Sequence, residues 1–379
     1  MRIGFLSMKA GTAAGGLATY ELYLLRSLAA IDQVNQYHVF CVHPVDPRAF
    51  GINQSNFTFH LLQPKSRLIA MAWSAPRAMA RVKVDLFHAS FLPPLWFPRP
   101  FLFTAHGPEM FIDPTFFPTA IRLQLVPLTK YGYRFAAEIG CASEATRNYL
   151  LEHFPRTRER SRVIYNGCDD QFRRLDRDAA RGTVKDRFGV DGPYVLAVGR
   201  VEPRKNPIRL LEAFALFAKA TGGGVRLVIA GNNTWSASEA QDAIRRLGVE
   251  HLVTRLGFVE YKDLPSLYAA AEMFVFPSLW EGFGLPLIEA MRCGAPTITS
   301  NTSCLPEVAG GASLLVDPLS PENIADAMVR LHSDAALRDR LRELGYVRGA
   351  EFSWERAARE TLEAYRDIWQ RRRASRAGS

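Results

Sequence analysis

The sequence predicts an α/β protein made of two doubly wound domains, each a parallel sheet covered by helices on both faces. Three observations point there. Short apolar, β-rich runs alternate with helix-length amphipathic stretches along nearly the whole chain, the pattern of parallel strands buried on both sides. The length of 379 residues fits two domains at about 150 residues each. Each half also opens in the same way, a strand running through a loop into a helix.

The expected strands of the first half are 2–7, 37–43, 57–62, 85–90, 101–106, 138–143 and 162–166. Those of the second half are 194–200, 226–232, 253–258, 273–278, 296–300 and 313–317. Around 169–192 the alternation breaks into a polar, Arg- and Asp-rich stretch punctuated by glycine. The linker is therefore placed at 176–192, with a first domain over 1–175, a second over 193–351 and a final segment over 352–379. The first strand leads through Gly11, Gly15 and Gly16 into a helix from near Leu17. In the second half the strand passes Gly199 and Arg200 and reaches Asn206 and Pro207, an N-cap followed by proline at the first helical position. Ligands of such sheets bind beyond the carboxyl ends of the strands, and both halves are expected to face one shared crevice. The final segment starts at Ser353, an N-cap. Trp354, Ala358, Leu362, Tyr365 and Trp369 follow at spacings of three to four, so an aromatic helix face is expected to pack on a core.

Composition excludes several classes. Hydrophobic residues make up 48% and charged residues 22%, an ordinary globular balance. No run approaches the ~18 apolar residues of a membrane span, and Met1–Leu6 lacks the apolar length of a signal peptide. A cytoplasmic protein is expected. Cys41, Cys141, Cys168, Cys293 and Cys304 form no CxxC pair and are odd in number, which suits buried free thiols. The net charge of +9 is partly clustered, at Arg156, Arg158, Arg160 and Arg162 and at Arg371, Arg372, Arg373 and Arg376. Taken singly, each run reads as a solvated basic surface.

The most informative segment runs from Glu281 through Gly282, Phe283, Gly284 and Leu285 to Glu289 and Gly294. It follows an expected strand, Pro286 suits a first helical turn, and Gly294 suits a stop. The amides around Gly284 and Leu285 then lie at a helix N-terminus, where an anion such as pyrophosphate fits. Glu281 and Glu289 make sense there as acceptors from sugar hydroxyls. A second segment places Arg200 at a strand end and Lys205 in the loop beyond, two cations able to neutralise a diphosphate and charge developing on it. His106 ends a strand of the first half, and Gly15 and Gly16 open its first helix. Near the hinge, 163–167 reads as a strand and a turn.

These segments together resemble a known family. GRVEPRKN, followed about eighty residues later by FVFPSLWEGFGLPLIEAMRCGAP, is similar to the retaining glycosyltransferases of family 4. Their fold is the two-domain GT-B type, and their E-x7-E signature is matched by Glu281 and Glu289. The GG before the first helix, TAHG, VIYNG and LPEV also match, so the resemblance covers nearly the whole chain. It implies that the first domain takes the acceptor and the second the donor. Arg200 and Lys205 would bind the donor diphosphate with help from the amides of Gly284 and Leu285, within a loop that includes Gly282 and Phe283. Glu289 would hold the ribose, and Glu281 the transferred sugar. His106 would contact that sugar, and Gly16, with Gly15, would let the first loop close on the donor. The last helix would cross back to the first domain. The resemblance implies no metal and no cofactor beyond the nucleotide-sugar substrate.

The segment FPSLWEGFGLPLIEA resembles bacterial mannosyltransferases of surface polysaccharide synthesis, which implies GDP-mannose as donor; UDP-linked hexoses stay open. The expected acceptor is a glycan, or an oligosaccharide on a lipid carrier. Lys65, Arg67, Trp73, Arg77, Arg81 and Lys83 could rest on an anionic membrane face, and a helix with a solvated basic side is the alternative. Asp176 and Asp178 form an Asp-x-Asp in the polar stretch, after no strand, so no metal is expected there. Gly11–Gly16 is not GxGxxG, which argues against a nicotinamide enzyme. An epimerase or phosphorylase on the same fold competes with transfer. A basic module for nucleic acid would leave Glu281 and Glu289 repelling the phosphates, so no nucleic-acid partner is expected.

Overall fold

A computed structural model describes residues 1–8, 15–43, 50–63, 69–97, 100–232 and 237–377. Gly11, Lys65 and Arg67 lie outside the described residues. The chain forms two compact units, Met1–Gly167 with Ser353–Ser379, and Cys168–Phe352.

Among the described residues the first unit holds seven strands, β1 (Arg2–Ser7), β2 (Gln36–Cys41), β3 (Phe57–Leu61), β4 (Leu86–Ala89), β5 (Phe101–Ala105), β6 (Glu138–Cys141) and β7 (Ser161–Val163). They pair in the order β3-β2-β1-β4-β5-β6-β7, all parallel. The second unit holds β8 (Tyr194–Val198), β9 (Arg226–Ala230), β10 (Val253–Gly257), β11 (Met273–Phe276), β12 (Thr297–Ser300) and β13 (Ser313–Val316). Their order is β10-β9-β8-β11-β12-β13, again all parallel. Both are doubly wound sheets, and the order reverses at β1/β4 and at β8/β11, where such sheets bind ligands.

Each expected run forms a strand, and most of the strands stop short at the carboxyl end. His106, Arg200 and Ser278 fall just past β5, β8 and β11. The strands of the sheet centres are buried along their whole length, as in β4, β5, β6 and β11. Phe40, Phe87, Phe103 and Tyr133 anchor the first core. Phe214, Phe217, Met273 and Met328 anchor the second.

The region 176–192 differs from the expected linker, because it carries a helix, Arg177–Phe188, belonging to the second unit. Asp176 caps it by accepting from the Ala179 amide at 2.8 Å, Ala180 and Val184 are buried, and Gly189 ends it in the left-handed region. Alternation of apolar residues is sparse in so short and polar a helix, which hid it. Asp178 pairs with Arg181 at 2.9 Å. The units meet at Gly167/Cys168 and Phe352/Ser353 instead of within 176–192 and at 351/352. The last helix, Trp354–Ala377, belongs to the first unit. Ser353 caps it, accepting from the Arg356 amide at 3.2 Å. Trp354, Ala358, Leu362 and Tyr365 are buried, and Trp369 is half-buried. All five cysteines are buried free thiols. No helix among the described residues is long and apolar enough to cross a membrane.

Candidate active site

The second unit brings its site together where β8, β9 and β11 end. Gly199 follows β8 at φ 144°, and Gly231 follows β9 at φ 156°. A Cβ on Gly231 would lie 1.9 Å from the Gly199 carbonyl oxygen, so the two strand ends meet this closely only without a side chain there. The contact aims the next residues, and the Val201 amide donates to the Asn232 carbonyl at 3.0 Å. Gly231→Ala is expected to cost roughly 1–3 kcal/mol. Chemical unfolding of the two proteins measures this, and equal midpoints would mean that the approach is not obligatory.

The loop past β8 carries three cations and one of two buried carboxylates. Arg200 is 54% exposed at its side chain and pairs with Glu202 at 3.0 Å. Arg204 is bound to Glu202 at 2.9 Å, to one oxygen of Glu281 at 2.7 Å, and to the Trp280 carbonyl at 2.9 Å. The Lys205 ammonium is 2.6 Å from the other Glu281 oxygen and 4.7 Å from the centroid of Phe276. Burial pushes the Glu281 carboxyl up, but Arg204 and Lys205 outweigh it and bring it down to about 2. Burial pulls Lys205 below its ordinary value, while Glu281 opposes that by favouring the ammonium. Three cations against two carboxylates leave an excess positive charge, which suits an anionic ligand. Asn206 departs from the expected capping role. It sits at φ 59° and its amide donates to the carbonyls of Pro277, at 3.1 Å, and Pro318, at 2.6 Å. It ties the cationic loop to its neighbours and leaves the helix start uncapped by a side chain.

Gly282 and Phe283 lead from Glu281 to Gly284, which turns at φ 91° into the helix Leu285–Cys293, with Pro286 in its first turn. Proline has no N–H and the Leu287 amide donates to the Gly284 carbonyl at 3.0 Å, which leaves the amides of Gly284 and Leu285 to face an anion at this helix start. One turn in, Glu289 accepts from the hydroxyls of Tyr261 at 3.1 Å and Tyr268 at 3.0 Å. Burial pushes its carboxyl up to about 7, although both tyrosines and Lys205 pull the other way. Lys205 thus acts on both carboxylates of the signature.

In the first unit, Gly15 sits at φ 74° before the helix Gly16–Ile31, and its carbonyl accepts from the Ala18 amide at 2.9 Å. His106 puts Nε2 2.6 Å from the Ser90 carbonyl. A carbonyl only accepts, so Nε2 carries the hydrogen and Nδ1 is the acceptor of the neutral ring. Burial lowers its pKa to about 4, which suits hydrogen bonding better than proton abstraction near pH 7. Tyr20 stands edge-on to the ring at 4.6 Å, so His106 lies beside the first turns of the helix that Gly15 and Gly16 open.

Glu21 escaped the sequence reading. It is fully buried and accepts from the Ser7 hydroxyl and the Met8 amide, both at 2.9 Å, and from the Ser90 hydroxyl. It holds the ends of β1 and β4 together, and the same Ser90 carries His106. Glu21→Gln, which turns one acceptor into a donor, is expected to cost about 1.5–3 kcal/mol of stability. Thermal unfolding checks this, and an unchanged midpoint would contradict it. Only its burial gives it away, and a single Glu in a helical pattern carries no such signal. Arg204, Tyr261 and Tyr268 were likewise not singled out, since their partners are distant in sequence.

Two doubly wound parallel sheets, one with a cationic strand-end loop gathered against a glycine-led helix start, define a glycosyltransferase fold of the GT-B type. Each unit matches a glycosyltransferase family model, and the chain is a glycosyltransferase of the family 4 type. Residues 14–172 match the family described as Glycosyltransferase Family 4, and residues 183–348 match Glycosyl transferases group 1. The chain is 39% identical over 173 residues to O-antigen chain mannosyltransferase B of Escherichia coli, covering 46% of this chain and 45% of that protein. It is 30% identical over 249 residues to the serotype-specific mannosyltransferase WbdA of Escherichia coli, covering 64% of this chain and 30% of WbdA. The chain thus spans less than half the length of these relatives. The Anabaena protein HepE, solved in complex with UDP and glucose, has the same fold, with a TM-score of 0.75 at 20% identity, covering 97% of this chain and 100% of that one.

Proposed function

We propose that this chain is a retaining mannosyltransferase that moves mannose from GDP-mannose to a hydroxyl of a glycan or lipid-linked oligosaccharide. The observation that carries the transfer chemistry is Lys205 held against Glu281 beside the start of the helix Leu285–Cys293. Its likeness to two mannosyltransferases supports the sugar. Lys205 and Arg200 bind the diphosphate with the helix-start amides, and they stabilise the charge that grows on it as the anomeric bond breaks. Glu289 takes the ribose hydroxyls. Each oxygen of Glu281 keeps a lone pair beyond its cation contact, and these accept from hydroxyls of the mannose. In the first unit, His106 is the residue the family resemblance assigns to a sugar contact. The acceptor hydroxyl attacks from the face the diphosphate leaves, passing its proton to a phosphate oxygen. No metal is required, and the charge is met by side chains. Trp73, 58% exposed with Arg77 stacked 4.4 Å from its ring, rests on an anionic cytoplasmic leaflet.

Thermal unfolding with saturating GDP, UDP or ADP, each with and without EDTA, tests the reading. A ligand at a hundred times its dissociation constant adds about 2.7 kcal/mol. GDP alone is expected to raise the midpoint, equally with EDTA. A rise with UDP alone would replace the donor, and a rise lost to EDTA would refute metal independence. HepE, solved with UDP and glucose, is the reason to include UDP.

A further inference from the structure

The two basic runs of the sequence, some 210 residues apart, converge in the first unit. A groove of about 820 Å³ is lined by Arg156, Arg158, Arg160, Arg371 and Arg372, with Glu159 as the one lining carboxylate among the described residues. Its floor includes Pro100 and Ala137, the residues that precede β5 and β6. The groove therefore lies at the amino ends of the strands, opposite the carboxyl ends that carry Ser90 and His106.

Three of these arginines are set in place by the fold. Arg160 donates to the carbonyls of Ala136 and Tyr133. Arg371 is bound to Glu138, and Arg372 donates to the Asp85 carbonyl. Glu138, 3% exposed at its side chain, also holds Arg162 at 2.7 Å. Arg156 and Arg158 are exposed, and their side chains engage no partner among the described residues. A rigid arginine wall beside two uncommitted guanidinium forks is the donor set that planar phosphate oxygens match, two N–H groups to two oxygens.

We infer that this groove is a second anion site, one that binds a phosphate ester, distinct from the donor diphosphate site of the other unit. Its ligand presents two or more phosphate oxygens. It is either the headgroup of an anionic lipid or a soluble phosphorylated molecule. The inference is independent of the donor assignment.

The test compares the wild-type protein with the double variant Arg156→Gln, Arg158→Gln, whose positions carry no packing. One arm measures co-sedimentation with phosphatidylglycerol–phosphatidylcholine vesicles, and the other counts calorimetric sites for inorganic pyrophosphate in proteins that all carry Lys205→Ala and Arg200→Ala, so that binding at the donor diphosphate site is set apart. At roughly fivefold per charge near an anionic surface, the double variant is expected to lose about 30-fold in vesicle affinity. Glu159→Gln is expected to gain about fivefold. Such a loss on vesicles identifies a lipid headgroup. A pyrophosphate site lost in the double variant, with no vesicle binding, identifies a soluble ester. The wild-type and double-variant proteins binding both probes equally, or neither probe binding at all, would overturn the inference.

Discussion

Lys205→Ala is expected to weaken GDP binding by about 30-fold or more, the effect of deleting one partner of a buried charged contact. In the free protein, Glu281 keeps Arg204 at 2.7 Å, so the carboxylate is not left without a cation and the fold survives. The loss then falls on the ligand. In turnover the loss is larger, about 100-fold or more, because a preorganised charge counts most where charge develops. Arg200→Ala supplies the contrast. Its side chain is 54% exposed, water screens it, and a loss of only a few-fold is expected. Calorimetry with GDP on the three proteins decides the matter. Equal affinities for wild type and Lys205→Ala would remove Lys205 from the diphosphate site.

The second large effect is on stability. Burial raises Glu289 from its ordinary 4.5 to about 7. Between those values the folded protein keeps a proton that the unfolded chain has released. The stability that this carboxyl contributes is full below about pH 4.5 and is lost as pH rises through 7, on the order of 3 kcal/mol. Glu281 works in the opposite sense, because its carboxyl is held down to about 2. Its contribution is present above pH 4.5 and is lost as pH falls towards 2. Glu289→Gln keeps acceptor capacity towards Tyr261 and Tyr268 and removes the titration. The variant is expected to gain on wild type as pH rises from 5 to 8, by roughly 6–12 °C in midpoint for a unit of this size. Parallel profiles of midpoint against pH would show that Glu289 does not titrate in this range.

The sheets were legible because parallel strands buried on both faces write continuous apolar runs, and all of the expected runs became strands. Helix Arg177–Phe188 was not legible. It buries only Ala180 and Val184, too little to mark a period against seven charged or polar neighbours. The site was readable where local geometry demands a residue type, as at Gly284 before Pro286. It was unreadable where partners are far apart in the chain. Arg204 meets Glu281 across 77 positions, and Tyr261 and Tyr268 meet Glu289 across 28 and 21. Asn206 shows the limit of a local rule, since a residue suited to capping instead spends its amide on two distant carbonyls.

The central claim is mannosyl transfer with retention, and proton NMR of the protein with GDP-mannose and a short mannose-terminated glycan tests it most directly. The account predicts release of GDP together with a new mannosyl residue of the same anomeric configuration as the donor. A product of the opposite configuration, or transfer from a UDP-linked hexose alone, would contradict it.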